Sequence, residues 1–285
     1  MPCACSSVMA NSPVCDVTDA PLAGDGVHHQ TTDSILTVTL ARPDKGNALR
    51  HQDCVALIAA LEAVSGAGDV RAVLIRAEGK HFCAGADLVS ANAAGPRPTA
   101  GHLSRSLATG AHRLVAAIWN CPVPTISAVH GRAIGLGLHV AIACDFTLAA
   151  DDAGFTEPFR NRGFSVDSGG AFLLPKLIGV RHARQMLLRG TTIDATTAAE
   201  WGLIDEVVSA DQLDHVSGEL AAELAAGPTF SLGHTKALLN RGAPDSLDSS
   251  LAAEAQSVEL TVRCDDFKEG LRAFTERRDP TFTGR

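Results

Sequence analysis

No stretch of this 285-residue chain is apolar for long enough to cross a bilayer. Its run Leu136–Ala143 is short and is interrupted by His139. The first twelve residues also lack the basic start and continuous apolar segment of a secretory signal. These absences lead to the expectation of a cytoplasmic protein with no membrane partner. Positive charge is scarce, with 24 Lys and Arg against 32 Asp and Glu and a net charge of −8. Non-specific nucleic-acid binding needs a basic surface, so nucleic acid is excluded as a partner. An anionic small ligand remains compatible, because a few local Lys or Arg side chains suffice for one. The eight cysteines, at 3, 5, 15, 54, 83, 121, 144 and 264, include no Cys-x-x-Cys pair. No Cys/His spacing marks a zinc site, so reduced, mostly buried thiols and no metal are expected.

Two enzyme signatures are missing as well. Gly135-Leu-Gly-Leu-His-Val140 opens like a dinucleotide-binding turn, but Val140 stands where the third glycine belongs. The segment also lies mid-chain, outside a first βαβ unit, which removes the Rossmann reading. No Gly-x-Ser-x-Gly occurs, which removes an α/β-hydrolase nucleophile.

What the chain does have is a hydrophobic content of 46%, ample for a sizeable core. Residues 1–32 contain Ser, Asp, Gly and Pro without periodicity, end in a Gly-Asp-Gly cluster, and read as a disordered leader. Alternation over Ser34–Ala41 predicts a strand, and Pro43 with Gly46 predicts a loop after it. Val55, Ile58, Ala59, Leu61 and Val64 recur at helical spacing. Val70–Arg76, Pro124–Val129 and Asp145–Ala149 read as further strands, and His102–Asn120 as a helix. Gly131 opens an apolar helix ending near Cys144, and from Gly169 the pattern is helical almost to the end. The expectation is an α/β core over 33–200 and a helical C-terminal region over 201–285, without internal repeats.

Gly-rich turns follow two of these strands, at 84–87 and 135–137. Each alone is an ordinary turn. Together they bring small residues and unpaired backbone N–H groups where a two-donor oxyanion hole can form.

Three segments then become specific. Arg42-Pro-x-x-x-Asn47-Ala-Leu, His81-Phe-Cys-Ala-Gly-Ala-Asp-Leu88 and Ala128-Val-His-Gly-x-Ala-x-Gly135-x-Gly137 resemble the signature segments of the crotonase (enoyl-CoA hydratase/isomerase) superfamily. Asp145 and the ending Lys268–Gly284 are similar to the same family, so the likeness covers roughly 34–284. The resemblance implies a crotonase-like spiral of ββα turns, a helical C-terminal trimerisation region, and homotrimers or hexamers. It implies an acyl-CoA thioester as the small-molecule substrate, with coenzyme A part of that substrate and no permanently bound cofactor. Carried over by position, the oxyanion donors are the N–H groups of Ala86 and Leu136. Lys45, Gly46, Ala48, Ala84, Asp87 and Leu88 resemble the CoA-contacting surface. Leu136 replaces the family's usual glycine, which alters pocket volume but keeps the donor.

The family's hydratases carry two glutamates, at positions occupied here by His139 and Phe159. What remains is Asp167, in Gly163-x-x-x-Asp167-Ser168-Gly169-Gly170. That segment resembles the subgroup containing the ring-epoxide isomerase of phenylacetyl-CoA catabolism, whose relatives use an aspartate there to shuttle a proton. Asp167 can alternatively be a helix N-cap. His139 can orient water or assist Asp167, or be a buried structural histidine. Phe159 is read as shaping the acyl pocket, Arg160 and Arg162 as solvated. One carboxylate suits double-bond isomerisation, where a single base lifts a proton and returns it two carbons away. A hydratase (lyase) of fatty-acid or aromatic-acid degradation and a non-catalytic acyl-CoA-binding homologue are the alternatives.

Overall fold

The computed structural model describes residues 26–88, 99–241 and 246–285. Six strands form the larger sheet: Val27–Thr32 (β1), Ile35–Leu40 (β2), Ala72–Ala77 (β3), Thr125–Val129 (β4), Phe146–Ala150 (β6) and Glu206–Val208 (β9), in that spatial order. β1 pairs antiparallel with β2, and every other neighbour pair is parallel. Arg132–Ile134 (β5), Gly154–Thr156 (β7) and Thr192–Asp194 (β8) form a second, smaller sheet. After β4 the chain enters β5 and then helix α4, Leu136–Ile142. After β6 it enters β7 and then helix α5, Phe159–Arg162. One strand in each sheet followed by a helix is the repeating turn of a ββα spiral.

Burial explains the pattern. In β2, Leu36, Val38 and Leu40 are buried while Ile35, Thr37 and Thr39 are only partly so. β4 is buried at every position, as a parallel strand covered on both faces must be. One face carries Leu57, Leu61 and Val64 of α1 (His51–Ala67) and Leu114 and Ile118 of α3 (Ala111–Trp119). On the other, Leu74, Ile126 and Leu148 pack against Leu213, Ala221 and Ala225 of α8 (Leu213–Ala226). Each fully buried Leu or Ile side chain contributes about 1.5–3 kcal/mol. The remaining helices are α2 (His102–Thr109), α6 (Gly170–Arg189), α7 (Ala195–Trp201), α9 (Thr229–Asn240), α10 (Leu247–Thr261) and α11 (Asp265–Glu276). No helix among the described residues is long and apolar enough to cross a membrane.

The structure departs from the sequence expectation in four places. β1 lies inside the stretch read as a leader; residues 1–25 are outside the described residues. It is an edge strand that buries only Val27 and is held by backbone pairing to β2, so it has no apolar alternation to read. The single helix expected over His102–Asn120 is two, α2 and α3, joined at Gly110, whose φ/ψ of −114/−104° is not helical. A three-residue strand, β5, precedes the helix expected from Gly131. Finally, β8 and β9 interrupt the helical pattern after Gly169, and β9 carries the large sheet past residue 200 to Val208. Three-residue strands are too short to show a period.

The C-terminal helices are tied to this core by polar contacts. The Lys236 Nζ of α9 lies 2.7 Å from the Asp145 Oδ2 and 3.3 Å from the Val123 carbonyl. Arg71, just before β3, donates to the Gly227 and Phe282 carbonyls.

Candidate active site

The first signature segment is a loop folded on its own asparagine. Asn47 is buried with φ +56°; its Nδ2 donates to the Glu78 and His81 carbonyls at 2.8 and 2.7 Å. Its Oδ1 accepts the Arg42 N–H at 2.8 Å. Asparagine suits this position because it tolerates the left-handed region and satisfies the backbone groups around it. The second segment then pairs with the first and the third. The Ala84 N–H donates to the Gly46 carbonyl and the Leu49 N–H to the Gly85 carbonyl, both at 2.8 Å. The Cys83 N–H donates to the Arg132 carbonyl and the Ile134 N–H to the Cys83 carbonyl, both at 2.9 Å.

This lacing leaves two N–H groups over. Ala86 bridges Leu49 in parallel register, but the bonds of that bridge come from Leu49 and Asp87. The Ala86 N–H therefore points away from the bridge. Leu136 is the first residue of α4, and the helical bonding there begins with the His139 N–H on the Gly135 carbonyl. Among the described residues neither N–H donates to a backbone carbonyl. The two turns touch: a Cβ on Gly85 would lie 2.6 Å from the Ile134 carbonyl oxygen and 3.8 Å from the Leu136 nitrogen. A Cβ on Gly137 would lie 2.5 Å from the Cys83 carbonyl oxygen. Only glycine allows this approach.

Both turns open on one cavity of about 860 Å³, between α1, α2, the Ala86–Leu88 segment, the start of α4 and the loop after α5. Ala86, Asp87, Leu88, Leu136 and Asp167 all line it. Asp167 is half-buried, and its Oδ1 accepts the Ser168 hydroxyl at 2.7 Å. It does not cap α6: the N-cap there is Gly169, with no side-chain bond, and only the Asp167 main-chain carbonyl accepts from Gly170. Asp87, the other lining carboxylate, is engaged by Arg42 at 3.1 Å, and Arg42 also lies 3.5 Å from the fully buried Asp53.

Lys45, Gly46, Ala48 and Ala84 are not cavity-lining residues. They sit beside it, Gly46 and Ala84 through their shared hydrogen bond and Ala48 through its carbonyl, which accepts Arg42 Nη1 at 2.7 Å. Lys45 is exposed and lies 3.8 Å from Asp44. His139 is fully buried beneath the cavity, its Nε2 2.8 Å from the Oε1 of the equally buried Glu157. Phe159 is buried and stacks on the His139 ring at 6.0 Å; Phe164, in turn edge-on to Phe159, is the aromatic that reaches the cavity. Arg160 bonds the Arg189 carbonyl, whereas Arg162 lines the cavity.

His51, His102, Leu103 and Ser106 line the wall from α1 and α2, and no sequence pattern singles them out. Only the crossing of those helices makes them neighbours. Cys54 also lines the cavity, and burial pushes its thiol up to about 12. Among the described residues no group of three His, Cys, Asp or Glu is placed to hold a metal ion.

The family model described as enoyl-CoA hydratase/isomerase matches residues 30–285. A Rhodobacter capsulatus protein named "Probable enoyl-CoA hydratase" is 35% identical over 91% of this chain and 98% of its own length. The 1,2-epoxyphenylacetyl-CoA isomerase of Escherichia coli is 35% identical over 88% and 95%. The crystal structure of an enoyl-CoA hydratase from Bacillus anthracis superposes with a TM-score of 0.85 at 27% identity, covering 91% of this chain and all of that one. With a family match over residues 30–285, relatives at 35% identity on both sides of the hydratase/isomerase divide and a shared spiral, this chain belongs to the enoyl-CoA hydratase/isomerase (crotonase) family.

Proposed function

We propose that the protein is an enoyl-CoA double-bond isomerase in which Asp167 moves the proton and the Ala86 and Leu136 N–H groups hold the enolate oxygen. The observation that carries this reading is the census of carboxylates at the cavity. Among the described residues it has two: Asp87 is held by Arg42, and Asp167 has one side-chain hydrogen bond, from the neighbouring Ser168 hydroxyl.

The steps follow from that inventory. A 3-enoyl-CoA enters with its thioester carbonyl between the two N–H groups. Asp167 takes a proton from C2, the electrons spread to the carbonyl oxygen as a dienolate, and the resulting carboxylic acid returns the proton to C4. The product is the 2-enoyl-CoA, and the carboxylate is regenerated. Preorganised donors aimed at the developing charge contribute about 3 kcal/mol each, and the positioned base a factor of about 10²–10⁴. Coenzyme A enters as part of the substrate, along the exposed Lys45, the backbone of Gly46 and Ala48, and the adjoining Ala84. Leu103, Leu136 and Phe164 supply the apolar wall for the acyl group.

Hydration is the second reading. It is favoured by the imidazoles of His51 and His102 on the cavity wall, available as a second acid–base group, and by the likeness to the Rhodobacter protein. The C-terminal helices expose Leu247, Leu251, Val258, Leu271 and Phe274, which supports assembly with further copies as a trimer or hexamer.

NMR in D₂O with a 3-enoyl-CoA and, separately, a 2-enoyl-CoA tests the choice. Isomerisation predicts double-bond migration with deuterium exchange and little 3-hydroxyacyl-CoA; rapid formation of the 3-hydroxy product overturns it. Asp167→Asn is expected to lower kcat about 10³-fold while the affinity for CoA stays within threefold. Retained turnover in that variant removes Asp167 from the mechanism.

A further inference from the structure

His139 and Glu157 form the most buried polar pair near the cavity, and neither touches it. Both are 0% exposed, and beyond their mutual bond the His139 Nδ1 and Glu157 Oε2 have no hydrogen-bond partner among the described residues. A histidine–carboxylate pair in such a place is costly, because apolar side chains of similar volume generally pack there at least as favourably. What the pair supplies instead is a directional bond between two points of the backbone.

Those two points both reach the turn that carries Leu136. The His139 N–H donates to the Gly135 carbonyl at 2.9 Å, one helical turn back, and Gly135 is followed by Leu136. Glu157 follows Thr156, whose carbonyl accepts the Gly135 N–H at 2.9 Å. The side-chain bond and this main-chain bond thus close a ring around the turn that aims the Leu136 N–H. The same Nε2 edge of the imidazole also meets the Asp167 loop. A Cβ on Gly170 would lie 2.4 Å from the His139 Nε2, and the Gly170 N–H donates to the Asp167 carbonyl at 3.1 Å.

We propose that the His139–Glu157 pair is a positioning device that sets the spacing between the Leu136 N–H and the Asp167 carboxylate, acting through them without touching substrate. It rests on the isomerase reading for the roles of those two groups. The expected consequence is a change in kcat with little change in binding, because among the described residues the pair's side-chain hydrogen bond is mutual and its ring contact is with Phe159. Misplacement of a reacting group by a fraction of an ångström to an ångström costs up to about a hundredfold in rate.

The test uses His139→Leu and Glu157→Leu, with Glu157→Gln as the conservative variant that keeps a hydrogen-bonding partner for the imidazole. Three readouts are taken: kcat and KM for the 3-enoyl-CoA, melting temperature, and the ultraviolet absorption of bound cinnamoyl-CoA. The last requires no turnover, since a conjugated thioester absorbs at longer wavelength when donors polarise its carbonyl. The leucine variants are expected to lose about 10–100-fold in kcat, keep KM within twofold, and lose much of the red shift. Glu157→Gln is expected to recover most of both.

A red shift in the parent that persists undiminished in folded leucine variants overturns the positioning role while leaving the oxyanion hole in place. A parent without any red shift overturns the oxyanion hole and, with it, the proposal. Loss of activity that merely tracks loss of folded protein, with Glu157→Gln no better than Glu157→Leu, also overturns it.

Discussion

Gly85→Ala isolates the contact on which the proposed oxyanion hole depends. The added Cβ would lie 2.6 Å from the Ile134 carbonyl oxygen, an atom of rigid backbone paired in turn to Cys83. Ordinary carbon–oxygen contacts begin near 3.3 Å, so the two turns must separate by about 0.7 Å. Gly85 precedes Ala86, and Ile134 stands two residues before Leu136, so the separation passes directly into the spacing of the two donors. Useful donor distances span only about 2.7–3.1 Å, and such a shift puts one donor out of range. Losing one donor costs about 2.7–4 kcal/mol of transition-state stabilisation, or roughly 10²–10³ in kcat. The φ of +94° adds about 1–2 kcal/mol of backbone strain, which lowers stability but not chemistry. Gly68→Ala separates the two effects, because Gly68 has a similar φ of +66° with nothing within 4 Å of its Cβ position. Steady-state kinetics and thermal melts of both variants decide the matter. Gly85→Ala should lose activity and stability, Gly68→Ala stability alone. A Gly85→Ala enzyme with kcat within threefold of the parent would refute the reasoning.

Three further outcomes follow from other parts of the molecule. Lys236→Met removes the partner of Asp145, which keeps its bonds from the Thr125 N–H and hydroxyl; the cost should be near the low end for a broken buried pair, about 3 kcal/mol. That is about 6–12 °C in melting temperature, and a loss below about 1 kcal/mol in urea titrations would contradict it. Burial pushes the thiols of Cys54, Cys83 and Cys144 up to about 12, so at pH 8 only about one in ten thousand is thiolate. Mass spectrometry after iodoacetamide should find these three unmodified in native protein and modified in denaturant. The Glu269 carboxyl is held down at about 2, chiefly by the Arg278 guanidinium and also by the Thr281 N–H. A depressed folded pKa stabilises above the ordinary carboxylate range and is lost as pH falls toward 2. The melting temperature of Glu269→Gln should therefore lie below the parent's at pH 6, with the gap narrowing below about pH 4 and closing near pH 2; an unchanging gap would show that the carboxylate is not the source.

The residues alone showed the two Gly-rich turns, and the family resemblance placed Ala86 and Leu136 on them as candidate donors. Gly85, Gly137 and Asn47 each hold a position that few other residues can occupy, so their spacing carries the geometry of Ala86 and Leu136 with it. Asp167 was legible as a candidate because the glutamate positions were filled by His139 and Phe159. Glu157 passed unnoticed because its significance lies in a partner eighteen positions earlier, met only after α4 and β7 have packed. The cavity wall from His51, His102 and Ser106 was hidden for the same reason. β1 escaped because its order comes from hydrogen bonds to β2, which leave no mark on side-chain pattern.

The hole proposed at Ala86 and Leu136 would belong to the main chain, and that has a consequence for how such a protein changes over generations. Every amino acid except proline brings an N–H with it, so point mutation seldom deletes either donor. Side chains around the hole are under no such protection: a leucine already stands at 136, a histidine at 139 and a phenylalanine at 159. Variation can therefore exchange the acids and bases facing the thioester, one residue at a time, while the power to hold an enolate persists. In this chain the inherited part of the chemistry is the backbone trace, and the negotiable part is whichever carboxylate the surrounding loops present to it.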